Sequence, residues 1–134
     1  MTVTVTPFLR NALLLDAVGS AAVGIALLAE PSLLADLFSL PRTLLLVVGV
    51  GIFGWVALLG LAARRPVLPA AIAWAFVLGN AGYVAASFGV MLLSLVQPNT
   101  LGILFVTAQA LAVALFTVLQ WMAVRGQAAA AASA

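Results

Sequence analysis

The sequence predicts an all-α membrane protein: four transmembrane helices in an antiparallel bundle, with a short interfacial helix between the first two. Three observations carry that prediction. The chain is 66% apolar and only 6% charged, where a soluble domain carries about 25% charged residues. Its few charges fall between long uncharged runs rather than across them. There are four such runs, and at ~1.5 Å of rise per residue each reaches across a ~30 Å hydrocarbon core. Four helices this apolar, in succession and without amphipathic partners, could not fold in water. With 134 residues the chain has room for little else, so residues 1–134 read as a single transmembrane domain.

Thr2 to Thr6 alternates Thr and Val like a strand, but it is too short to pair stably alone. The first span is 8–29, interrupted by Arg10, Asn11, Asp16 and Ser20 and closed by Glu30-Pro31, since a proline there cannot continue the helix ladder. Asp16, the length of the run and the absence of a small-x-small site before Glu30 argue against a cleaved signal peptide. Residues 31–40 form the interfacial helix. Leu33, Leu34, Leu37, Phe38 and Leu40 can share one face, with Asp36 and Ser39 turned away, and Pro31 and Pro41 bracket the element. The second span, 43–63, is uncharged and glycine-rich, and it ends at Arg64-Arg65-Pro66. The third, 67–96, is longer than one crossing needs, with Pro69 in its first turn. Gln97-Pro98-Asn99-Thr100 separates it from the fourth, 100–124, with Asn99 or Thr100 as N-cap. Gln127 to Ala134 reads as a frayed alanine tail.

Arginine placement sets the orientation. Arg10, Arg64, Arg65 and Arg125 fall on one side of the four spans, and Arg42 alone falls on the other with Glu30 and Asp36. By the positive-inside rule both termini are cytoplasmic in a multi-pass protein of the plasma (inner) membrane. Trp55, Trp74 and Trp121 each fall in the cytoplasmic half of their spans, as an aromatic belt would. The arginines are topology signals and lipid-headgroup contacts. They form no basic stripe, so nucleic acid is not an expected partner.

The polar atoms inside the spans are few. Asp16 lies ~12 Å deep by helical rise, with Ser20 and Gly24 on the same face at successive turns. An acid at that depth must face protein or water. On the third span Asn80, Tyr83, Ser87, Met91 and Ser94 keep to one side, beside the small residues Gly79, Gly82, Ala86 and Gly89. On the fourth, Gln109 shares a face with Val113, Phe116 and Gln120. The second span offers glycines and no polar side chain. The expectation is one buried cluster of Asp16, Ser20, Asn80, Tyr83 and Gln109, with Ser87 further along the same path. Such a cluster either locks the helices by hydrogen bonds, with Asp16 protonated or paired with Arg10, or carries an ion or anchors a ligand's polar head.

The early Arg10, the Gly-x-x-Leu-Leu ending of the first span (Gly24 to Leu28), the outer segment closing on Leu40-Pro41 and the glycine-rich second span (Gly49 to Gly60) together resemble the DoxX-like group of small bacterial four-helix membrane proteins. The likeness covers about the first half of the chain. It implies association with redox or quinone-linked membrane partners, and no catalytic residue carries over.

Three functions are compatible with these residues. The first is a non-enzymatic protein acting by helix association, as a homo-oligomer or as a subunit of a larger membrane complex. The small-residue faces of spans two to four support it. The second is a small carrier or channel with Asp16 as coupling or selectivity residue. The third is a binder of an apolar ligand (a lipid, quinone or pigment) held between helices. An enzyme is not expected: the chain has no His or Cys, and Asp16 has no base, nucleophile or metal partner in its span. No cofactor or metal is implied.

Overall fold

The computed structural model describes residues 1–134 as β1 (Thr2–Thr4), α1 (Pro7–Ala29), α2 (Pro31–Phe38), α3 (Arg42–Ala63), β2 (Val67–Pro69), α4 (Ala70–Leu92) and α5 (Thr100–Ala132). The helices α1, α3, α4 and α5 are long and apolar enough to cross a membrane. Only 27 of the 134 residues are buried, while Leu15, Val18, Val47, Leu58, Leu78 and Leu111 all face outward. An exterior this apolar, on helices long enough to span a bilayer, is what a membrane-spanning bundle would present.

Helix ends follow local chemistry. Thr6 caps α1, its hydroxyl accepting from the amide of Leu9 at 3.2 Å, and Pro7 occupies the first turn, where a missing N–H is harmless. Asn99 caps α5: its Oδ1 accepts from the amide of Gly102 at 2.8 Å. The same side chain donates through Nδ2 to the carbonyl of Leu37 at 2.8 Å, which ties the start of α5 to the end of α2. Gly102 is required there, because the Phe38 carbonyl stands where a side chain would begin.

Four boundaries differ from the sequence reading. Val67–Pro69 does not begin the third span but forms β2, paired antiparallel with β1 in the register Thr2↔Pro69, Val3↔Leu68, Thr4↔Val67. The Thr/Val alternation therefore finds a partner 65 positions along the chain, and Val3, Val5 and Leu68 bury their side chains beneath the pair. The third span stops at Leu92 rather than Val96, because the chain turns through Ser94 in the left-handed region, φ 55°. The fourth does not end at Val124 in a frayed tail; it runs to Ala132, as the alanine-rich sequence favours. The interfacial helix is two residues shorter than 31–40, ending where Ser39 turns left-handed, φ 53°. Its predicted apolar face also divides. Leu34, Ala35 and Phe38 pack inward, while Leu33 and Leu37 are exposed.

Close approach between helices depends on glycine at two crossings of α1 and α3. A methyl group on Gly49 would sit 2.7 Å from Cδ2 of Leu28, and one on Gly24 would sit 2.9 Å from Cγ2 of Ile52. The helices form an incomplete ring. The backbones of α3 and α1, of α1 and α5, and of α5 and α4 lie together, whereas α3 and α4 stay apart along nearly their whole length.

One end of the ring is a solid core built from Leu9, Leu13, Leu59, Phe76 and Val124 under the β1–β2 pair. Arg10 is at this end, and its Nε donates to the carbonyl of Ala63 at 2.9 Å rather than reaching Asp16. Here too the side-chain amide of Gln127 meets the free edge of β1, accepting from Thr4 N at 2.7 Å and donating to Thr4 O at 2.7 Å. At the other end α2 closes over Leu27, Leu40 and Leu45, with the rings of Phe38 and Phe105 stacked at 4.5 Å.

Candidate functional site

Asp16 is fully buried in the middle of α1. Its Oδ1 accepts from Ser20 Oγ at 3.0 Å, one turn along the same helix. Its Oδ2 accepts from Asn80 Nδ2 of α4 at 2.6 Å and from Gln120 Nε2 of α5 at 2.8 Å. Asn80 Nδ2 also reaches Gln120 Oε1 at 3.3 Å. One carboxyl group thus joins three helices, and the carboxyl fixes the orientation of both amides by taking their N–H groups. All three side chains are buried, with Asn80 at 4% and Gln120 at 1% exposure. A buried polar group is tolerable only when satisfied, and this one is satisfied at both oxygens.

The expected five-residue cluster is in fact two groups. Asp16, Ser20 and Asn80 come together as predicted, but Gln109 does not join them. It hydrogen-bonds the hydroxyl of Tyr83 instead. Gln109 and Gln120 are three turns apart on one face of α5, so they differ in depth by ~16 Å. Gln120 is the one level with Asp16. The residue that completes the cluster was therefore visible as a face-mate of Gln109, and it was Gln109 whose depth was misjudged. Ser87 donates back to the carbonyl of Tyr83 at 2.8 Å, a local bond that takes it out of both groups. Among the arginines, Arg125 lies over the Trp121 ring at 4.7 Å and Arg64 and Arg65 are exposed.

A cavity of about 380 Å³ is lined by members of both polar groups. All four long helices wall it, with Ser20 from α1, Gly51 and Trp55 from α3, Asn80 and Tyr83 from α4, and Gln109 from α5 among its lining. A second cavity of about 240 Å³ lies toward α2, lined by Leu40, Val90, Met91 and Phe105 among others. Val48, Tyr83 and Gln109 line both, so the Tyr83–Gln109 pair is a polar waist between two apolar chambers. Trp55, which the sequence placed in an interfacial belt, is in fact a wall of the first chamber. Its ring packs on Gly79 and stands edge-on to Phe76, with centroids 5.4 Å apart.

No family model, no curated protein and no solved structure matches this chain. Its chemistry is therefore read from these two chambers and the polar groups that bound them.

Proposed function

We propose that the protein is an integral protein of the plasma (inner) membrane that binds one small apolar molecule between its helices. In this reading α1, α3, α4 and α5 cross the bilayer antiparallel to one another. The Arg10, Arg64, Arg65 and Arg125 end and both termini are cytoplasmic. The exposed Leu33 and Leu37 of α2 rest in the opposite interface. The observation that carries the proposal is the 380 Å³ chamber at the centre of the ring. Ligand sites are concave, largely apolar spaces of about 300–1,000 Å³ with a few convergent polar groups. This chamber has that size, apolar walls and members of both polar groups in its lining.

The fully hydrogen-bonded state of Asp16 favours a locking role for the acid over a coupling role in transport. An ion-carrying carboxyl needs an oxygen free to take its cargo, and both oxygens here are occupied by side chains on three helices.

The test is native mass spectrometry of the protein released from a mild detergent, wild type beside Gly51→Leu. Gly51 lines the chamber, and a side chain built there meets no atom within 4 Å. Leucine should therefore fill the space without disturbing the helices. A stoichiometric adduct on the wild type that is lost from Gly51→Leu is the expected result. A bare wild-type protein, or an adduct retained by the variant, overturns the proposal.

Self-association is a second reading, favoured by one observation. Gly54 and Gly60 of α3 and Gly82 of α4 pack against nothing in the bundle. Glycines on an outer helix face allow close backbone approach by another helix. The same spectrum reports subunit number, and a strictly monomeric protein removes this reading.

A further inference from the structure

The hydrogen bonds around Asp16 all run one way. The hydroxyl of Ser20 and the side-chain amides of Asn80 and Gln120 turn their hydrogens toward the carboxyl, which accepts at both oxygens. Asn80 Nδ2 donates to Gln120 Oε1 as well. An amide is planar, and its oxygen and nitrogen diverge from one carbon. Holding the Asn80 nitrogen against α1 and α5 therefore fixes where its oxygen stands. Turning the amide over would set oxygen against oxygen in both contacts, so the neighbours permit only one orientation.

The oxygen so fixed, Asn80 Oδ1, receives no hydrogen bond: both contacts of this side chain are made by its nitrogen. Nor is the oxygen sealed in. The one buried side-chain nitrogen or oxygen that is closed off without a partner is Nε1 of Trp55. Asn80 Oδ1 thus keeps open surface, although the residue as a whole is only 4% exposed. Asn80 lines the larger chamber, and that chamber is the space its oxygen meets. Ser20 is in the same lining. It has given its one hydrogen to Asp16 and offers the chamber lone pairs alone. The carboxyl has drawn the hydrogens of both residues to itself, so together they present acceptors to the chamber and no donor. Donation to the carboxyl also polarises the Asn80 amide and strengthens its oxygen as an acceptor.

We propose that Asn80 Oδ1 is the recognition atom of the chamber, and that the ligand is an otherwise apolar molecule bearing a hydroxyl, an alcohol or a phenol, which donates to it. This rests on the binding function proposed above and adds to it the chemical class of the ligand and the atom that reads it. An ether or ester sets oxygen against oxygen. A hydrocarbon fits the walls but leaves Oδ1 unpaired, which is costly for a buried polar atom. An ammonium supplies hydrogens but brings a charge, and no carboxyl oxygen is free to receive it.

The experiment uses the full chain in phosphatidylcholine vesicles and two nitroxide probes labelled at the chain end, a long-chain alcohol and its methyl ether. Electron spin resonance measures the immobilised fraction of each. The wild type should prefer the alcohol by about two- to tenfold, the net worth of one neutral hydrogen bond. Asn80→Leu keeps the side-chain volume but lacks the oxygen, and Asp16 retains Ser20 and Gln120. The preference should fall to about one while ether binding is retained. Equal binding of the two probes by the wild type, or an unchanged preference in Asn80→Leu, overturns the proposal.

A second measurement needs no variant. With asparagine labelled by ¹³C at the side-chain carbonyl, the Asn80 resonance should move downfield with the alcohol and not with the ether, and Asn11 and Asn99 serve as internal references. No movement at Asn80, or the same movement with both probes, overturns the proposal independently. Failure of the binding function itself looks different: neither probe is immobilised beyond the lipid background, or Gly51→Leu leaves both bound.

Discussion

Replacing Asp16 by alanine removes the acceptor of three hydrogen bonds at once. Two of them, from Asn80 and Gln120, hold α4 and α5 to α1, and the third, from Ser20, is internal to α1. Hydrogen bonds between membrane helices contribute about 0.6 kcal/mol on average and up to about 1.7. The two interhelical bonds alone are thus worth about 1–3 kcal/mol. The substitution also leaves buried amide donors unpaired, though Asn80 and Gln120 keep their mutual 3.3 Å contact. Together these give an expected loss of about 2–4 kcal/mol. The assay is reversible unfolding in mixed micelles of mild detergent and dodecyl sulfate, followed by far-ultraviolet circular dichroism. A double-mutant cycle with Gln120→Leu sharpens it. Because both amides share one carboxyl oxygen, the two losses should be non-additive by about 0.5–2 kcal/mol. A loss below about 0.5 kcal/mol for Asp16→Ala, or strict additivity in the cycle, would refute the claim that this carboxyl locks three helices.

Gly49→Leu drives a side chain into Leu28, 2.7 Å from where its Cβ would stand. It should destabilise the bundle by about 1–3 kcal/mol or more in the same unfolding assay, whereas Gly51→Leu, which meets open space, should be close to neutral. Gln127→Leu removes both bonds from the edge of β1, so amide exchange at Thr4 should accelerate at least tenfold while exchange in α1 and α3 is unchanged. Asn99→Ala deletes the cap of α5 and its bond to α2 together. A cost of about 1–2 kcal/mol is expected, and a readily detected increase in proteolysis between Phe38 and Pro41 should accompany it.

The four spans were legible because hydropathy and charge are local properties of the chain. So was the cap at Asn99, and so was the pairing of Asp16 with Ser20, which one helical turn dictates. Asn80 was found by arguing its depth from the bilayer boundary. The same argument, counted from the Thr100 end of the fourth span, failed for Gln109: it is Gln120, eleven residues further along α5, that meets Asp16. The strand pair could not be read, because its two halves lie on opposite sides of three helices and neither has a pattern strong enough alone. Trp55 carried no local signal either. Its place depends on Gly79 and Phe76 of another helix, against which its ring packs.

The β1 edge has a consequence for the order in which the molecule is completed. Thr4 and Gln127 are separated by 123 positions, and β2 lies between them in the chain. During synthesis the first residues wait for about half of the polypeptide before their strand partner exists, and for nearly all of it before the glutamine amide does. Until then the segment ahead of α1 is free, and Val3 and Val5 lack the cover they have in the finished protein. A reporter placed at Thr4 would therefore mark the closing event of assembly, because its protection cannot precede delivery of the final helix.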